Sequence, residues 1–241
     1  MYADSICCDD LNAVEYQKRA FEMLGPFKLG GLHGFPFAGL TGMGAFAHHV
    51  PADGALFVFF GPHIGITKTG RVGFTLRPGQ AEPSARCGAA TAAVNILLRD
   101  QVVLDDVSEL DYQQNTLEQI LLWEKMHVVE AAEPLVEGTE IIYEATETRI
   151  RLLVERTKFP CRYVILMGGI LINGDYDVGS TMITCSHSCS ESMGTSFGPT
   201  YIFCSGCRCF HSRRIGSARA IFSRCPRRSM AWSCSWKLRH S

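Results

Sequence analysis

The sequence predicts an α/β fold in which a largely parallel central sheet is flanked by helices. Three observations predict it. Ala55–Phe60, reading Ala-Leu-Phe-Val-Phe-Phe, is a short apolar, aromatic-rich run between turn residues, the pattern of a strand buried on both faces. Tyr163-Val-Ile-Leu-Met-Gly-Gly-Ile-Leu-Ile-Asn173 is a second such run, and its glycines predict a bend. Between the two lie stretches with apolar residues at helical spacing, and strands alternating with helices build parallel sheets.

Ala3–Cys8 reads as the first strand, with Asp9 or Asp10 able to cap a helix whose Ala13, Val14, Ala20, Phe21 and Leu24 share a face. Gly25-Pro26 stops that helix. A glycine-rich passage from Leu29 to His49 follows, with aromatic residues fitted either to an apolar pocket or to close packing under a loop. Gly61-Pro62 ends the central strand and presents His63 past its carboxyl end, the edge where open α/β sheets collect ligands. Thr67–Gly70 is a turn and Val72–Leu76 a hairpin arm. Ser84 is expected to cap a helix with Cys87 in its first turn. Further helices are expected over Leu117–Val129 and through Ile141, Ile142, Ala145, Leu152 and Leu153.

Two compositions share the chain. Up to Gly179 there are 14 Lys and Arg against 23 Asp and Glu; from Ser180 onward there are 9 against the single Glu191. Seven of the 11 cysteines also follow Ser180. Residues 180–241 show neither helical nor strand periodicity. Cys204-Ser-Gly-Cys207 has no second ligand pair at a zinc-knuckle spacing, and the basic residues lack the aromatic platform of a nucleic-acid binder. The expectation is a domain over 1–179 and a disordered Cys/Ser/Arg-rich tail over 180–241, produced by a misread frame or retained intron. Because the chain enters a strand at once, upstream sequence is expected to be missing. The first residues show neither the basic stretch nor the apolar core expected of a signal peptide, and no apolar run is long enough to span a membrane.

The chemistry converges on three residues. Cys7 ends the first strand, His63 follows the central one and Cys87 opens a helix, where backbone amides favour a thiolate. Two cysteines and a histidine can hold a zinc ion and leave its fourth tetrahedral position for water. Cys8 is the alternative to Cys7, and His49 the alternative to His63.

The segments Gly-Phe-Pro-Phe-Ala-Gly-Leu-Thr-Gly-Met-Gly-Ala-Phe-Ala-His-His-Val-Pro and Phe-Phe-Gly-Pro-His-Ile-Gly-Ile-Thr resemble the limiting-CO2-inducible B/C family, the theta class of β-type carbonic anhydrases. Ser84-Ala-Arg-Cys-Gly-Ala-Ala and Val164-Ile-Leu-Met-Gly-Gly-Ile-Leu-Ile-Asn fit the same family, so the likeness covers residues 3–179. The resemblance implies a β-carbonic-anhydrase-like fold and zinc on Cys7, His63 and Cys87. It also implies a homodimer, or a hetero-oligomer with a paralogue, in an algal chloroplast, although no transit peptide is visible; the alternative expectation is a cytoplasmic protein. The reaction it implies is reversible hydration of CO2 to bicarbonate, in CO2 concentration or inorganic-carbon recycling. The alternative is an inactive zinc-binding assembly partner. Cys7-Cys-Asp9 is similar to the Cys-x-Asp of β-carbonic anhydrases, whose aspartate orients the reacting water. Their arginine two residues further on is replaced by Leu11, which leaves Arg77 or Arg86 to pair with Asp9. Phe35, Phe37 and Leu40 are candidates for an apolar CO2 pocket, and His48 and His49 for proton transfer.

Overall fold

The chain opens with β1 (Tyr2–Ser5), whose four residues are all buried. After it come β2 (Phe27–Lys28), a single 3-10 turn at Leu32–Gly34 and helix α1 (Gly39–His48). Next are β3 (Ala55–Phe60), β4 (His63–Gly65) and the paired short strands β5 (Phe74–Thr75) and β6 (Ser84–Ala85). Helices α2 (Gly88–Leu98), α3 (Tyr112–Trp123), α4 (Lys125–Glu130) and α5 (Pro134–Glu155) follow, then β7 (Tyr163–Gly168), β8 (Ile170–Asn173), β9 (Ser180–Ile183) and β10 (Thr200–Phe203). This computed structural model describes residues 1–9, 12, 23–52, 54–105, 107–176 and the backbone of the last two strands. They fall in one unit, Met1–Phe210. The expected tail lies outside the described residues apart from those two strands, and the helix expected after β1 lies outside them almost entirely.

Five strands form one sheet in the order β10-β7-β3-β1-β2, and every neighbouring pair in it is parallel. The mostly parallel sheet flanked by helices is the expected architecture. β3 occupies the expected span, but its burial alternates: Leu56, Val58 and Phe60 are buried, while Ala55, Phe57 and Phe59 are partly exposed. The apolar run therefore does not mark a strand covered equally on both faces. On one side Phe60 stacks on Tyr143 of α5. On the other, the rings of Phe57 and Phe59 stack on each other and Tyr2 meets Phe59 edge-on.

Helix α5 begins with Pro134, whose fixed φ suits a first turn. It buries Thr139, Ile142, Tyr143, Thr146, Ile150 and Leu153 on one face, the three- and four-residue spacing of an amphipathic helix. Ile142 joins Ala93, Val94 and Leu97 of α2, Leu117 and Leu121 of α3, and Phe35 in one core cluster. The helix expected over Leu117–Val129 is two helices, because the chain leaves helical geometry at Glu124. Ser84 is not a helix cap. It belongs to β6, where pairing with Thr75 holds it extended, and Cys87 takes the position immediately before α2.

The expected bend in the Tyr163–Asn173 run is real and has a counterpart. β3 and β7 run side by side as far as Phe60 and Gly168, break together at Gly61-Pro62 and Gly169, and resume as β4 and β8 with His63 opposite Leu171. Gly61 makes this step at φ +148°, and a Cβ there would lie 1.7 Å from the Gly169 carbonyl oxygen. Only a residue without a side chain fits. Among the described residues no helix is long and apolar enough to cross a membrane.

Candidate metal centre

β1 and β3 lie side by side with Ser5 opposite Phe60, so the segments leaving them emerge together at one edge of the sheet. Cys7 lies on the first of these segments and His63 on the second. Cys87 arrives at the same edge at the start of α2. The ligand atoms of these three buried residues all lie within 4.8 Å of one another, and the cluster could hold a metal ion. The two sulfurs are 3.9 Å apart. Cys8 is exposed and stands outside the cluster.

The environments of the two thiols differ. Cys7 is pushed up to about 12, first by its hydrogen bond to the Cys87 sulfur and then by burial. Cys87 is held below the ordinary thiol range first by its hydrogen bond with the Cys7 sulfur, and the amides of Ala90 and Ala89 in the first turn of α2 add to this against burial. Ala89, Ala90 and Leu135 pack around the sulfurs and make the surroundings apolar.

His63 is 1 % exposed. Its Nδ1 lies 2.7 Å from Oδ1 of Asn173, while its Nε2 is buried with no hydrogen-bond partner among the described residues. Asn173 ends β8, so the strand that pairs with β4 also holds the imidazole.

Asp9 lies beside this cluster. Nη2 of Arg77 donates to both of its oxygens, at 3.3 and 3.2 Å, and Nη1 of the fully buried Arg86 lies 3.8 Å from Oδ1. Both arginines left open by the sequence thus reach the carboxylate, and Arg77 makes the closer contact. Phe35 and Phe37 pack together with ring centroids 5.1 Å apart, in a cluster that shares Ala89 and Leu135 with the thiols. Leu40 does not join them. It is 49 % exposed on α1, where it lines an open hollow of about 840 Å³ with His48, Arg156 and Phe159. That hollow is formed by α1, the residues that follow it and the segment after α5. His48 and His49 are exposed, and His49 lies against Phe27.

Three further buried polar residues near the cluster carry little signal in the sequence. His33 is fully buried at φ +52°, its ring 6.0 Å from that of His63, with neither nitrogen hydrogen-bonded among the described residues. Burial, and then the neighbouring His63, hold its pKa well below the ordinary imidazole value. Its only sequence signal is a histidine set between glycines. Asn173 and Asn12 are the other two. An amide ending the apolar run Ile-Leu-Ile was the available clue to Asn173, and nothing local distinguished Asn12.

A family model described as limiting CO2-inducible proteins B/C beta carbonic anhydrases matches residues 1–191. The crystal structure of PtLCIB4, a homologue of the limiting CO2-inducible protein LCIB, is 27% identical and superposes with a TM-score of 0.70 over 77% of this chain and 78% of that one. A serine-to-arginine mutant of PtLCIB4 is 28% identical over 79% of this chain and 78% of its own, with a TM-score of 0.64. LCIB itself, 22% identical over 72% of each chain with a TM-score of 0.53, shares the fold. No curated protein matches the chain.

Proposed function

The chain belongs to the limiting CO2-inducible B/C beta carbonic anhydrase family, and from that membership we propose that it catalyses the reversible hydration of CO2 to bicarbonate with a zinc ion held by Cys7, His63 and Cys87. The observation that carries the proposal is the cluster of His63 with two thiol sulfurs, their ligand atoms all within 4.8 Å of one another, together with a buried Nε2 of His63 that has no hydrogen-bond partner among the described residues. A buried polar atom without a partner costs free energy, so its presence in a well-packed edge supports a ligand there. Two sulfurs and an imidazole are donors that zinc accepts, and three protein ligands are the set found where one position stays open for chemistry.

Zinc so held supplies a Lewis acid that brings the pKa of a water close to neutrality. The remaining work falls to the chain. Asp9, fixed by Arg77, accepts a hydrogen bond from the attacking oxygen and so sets which lone pair faces the substrate. Arg86 adds a buried positive charge beside Asp9, which favours the shift of negative charge from the attacking oxygen onto the CO2 oxygens as bicarbonate forms. Phe35 and Phe37, continuous with the apolar residues around the sulfurs, suit an uncharged substrate that needs no polar anchor. We extend the proposal to a role in CO2 concentration or inorganic-carbon recycling in a chloroplast, in a homodimer or a hetero-oligomer with a paralogue, as the sequence resemblance implies.

One observation favours a second reading, that of an inactive zinc-binding assembly partner: Leu11 replaces the arginine of the Cys-x-Asp-x-Arg pattern. Stopped-flow CO2 hydration by the zinc-loaded full chain separates the two. Catalysis that increases with pH through neutrality supports the enzyme. Stoichiometric zinc with no rate above the uncatalysed reaction, from mildly acid to alkaline pH, overturns it in favour of the assembly partner.

A further inference from the structure

The imidazole of His63 is held by two asparagines in series. Oδ1 of Asn173 lies 2.7 Å from Nδ1 of His63, and Nδ2 of Asn173 donates to Oδ1 of Asn12 at 3.2 Å. All three residues are 1 % exposed or less. An amide oxygen cannot donate, so Oδ1 of Asn173 accepts and Nδ1 of His63 carries the proton. Asn12 favours this orientation: by accepting from Nδ2, it matches the end of the Asn173 amide that faces away from the imidazole. A neutral imidazole protonated on Nδ1 has its lone pair on Nε2, the nitrogen with no hydrogen-bond partner among the described residues.

From this chain of contacts we infer that Asn173, backed by Asn12, is a positioning residue that sets the tautomer and ring orientation of His63 and thereby the affinity of the site for its metal. The inference rests on the reading of Cys7, His63 and Cys87 as ligands. Asn12 also ties the arrangement to the Cys7–Asp9 turn, because its backbone N–H donates to the carbonyl of Asp9 at 3.1 Å. The relay thus connects the segment carrying Cys7 to the strand carrying His63 through the last residue of β8. An uncharged amide, unlike a carboxylate, orients the ring without adding a negative charge beside two sulfurs.

Two measurements test it. In the unmodified full chain, long-range proton–nitrogen NMR reads the tautomer of His63 directly. A proton on Nδ1 supports the relay, and a proton on Nε2 overturns it whether or not zinc binds. The second measurement is zinc affinity by chelator competition. Asn173→Ala is expected to weaken binding by about 10- to 100-fold, as losses of such supporting partners do. Asn12→Leu is expected to weaken it less, and Asn173→Asp, which keeps the acceptor for Nδ1 but gives up the donor to Asn12, to recover part of the loss. Circular dichroism confirms that each variant is folded. Unchanged affinity in folded Asn173→Ala overturns the inference. So does a loss that Asn173→Asp fails to recover even in part, because the acceptor itself would then not matter. Failure of the ligand reading has a different signature: the unmodified chain and His63→Ala would bind the same amount of zinc.

Discussion

One guanidinium nitrogen of Arg77 donates to both carboxylate oxygens of Asp9, at 3.3 and 3.2 Å, across 68 residues of sequence. The carboxylate that the Cys-x-Asp pattern places near the cluster is therefore oriented by a residue that follows β5, not by a neighbour on its own segment. If Asp9 acts on the reacting oxygen, its direction matters more than its charge alone. Arg77→Ala should lower CO2 hydration by about a hundredfold with zinc content unchanged. Asp9→Asn should do the same, and the double variant should lose little more than either, because two residues acting as a unit do not add. Additive losses would mean that they act separately.

His63→Ala should reduce zinc from about one per chain to near zero, since two thiols alone leave half a tetrahedron unfilled. His49→Ala serves as the control and should retain the full amount, because His49 lies against Phe27 and outside the cluster. Metal analysis after dialysis reads both. Retained zinc in His63→Ala would place the ion elsewhere.

Gly61→Ala should destabilise the protein by at least about 3 kcal/mol, because its Cβ would enter the Gly169 carbonyl at a positive φ that favours glycine. Gly44→Ala tests the opposite case: a Cβ there meets nothing within 4 Å, and the position is inside α1. It should stabilise by about 0.5–1 kcal/mol through helix propensity. Denaturant unfolding of the two variants should therefore shift in opposite directions. A tolerated alanine at Gly61 would contradict the described step between β3 and β4.

Asp4 makes the pH dependence unusual. Burial raises its pKa more than the hydrogen bond and charge of Lys28 lower it. A carboxyl group whose folded pKa lies above its unfolded value contributes stability that is fully present below the unfolded pKa and is lost as pH rises through the folded one. Asp4→Asn removes that loss. The difference in unfolding free energy between the Asp4→Asn variant and the unmodified protein should grow in favour of the variant as pH rises from acid towards neutral. A difference that is constant with pH would show that Asp4 titrates alike in both states.

The parts of the site legible in the sequence were those announced by chemistry and local punctuation. Gly61-Pro62 followed by His63 marks an abrupt strand end, and two cysteines at element boundaries stand out. Arg77 and Arg86 could both be proposed as partners of Asp9, but choosing between them required the geometry that brings both to it. Asn173, Asn12 and His33 were not legible, because their importance comes from partners or neighbours distant in sequence. Leu40 was misleading for a related reason: its position in an aromatic, glycine-rich passage says nothing about which face of α1 it occupies. The Ser84 assignment failed because a cap residue and a strand residue read alike until the antiparallel partner is known. The strands and long helices were clearer, since burial imposes a period on every turn or alternate residue.

The bond between His63 and Asn173 spans 110 residues, and the parallel pairing of β4 with β8 joins the same two stretches of chain. During synthesis, Cys7, His63 and Cys87 have all left the ribosome long before the residue that steadies the imidazole. A nascent chain at that stage has all three ligand residues without the strand that aligns one of them. If Cys7, His63 and Cys87 hold a metal as proposed, high-affinity capture should therefore come late, coupled to the pairing of β4 with β8 and not to the appearance of the three side chains. Such non-local pairings form slowly, so the rate at which newly made chains acquire metal should follow the completion of β7 and β8.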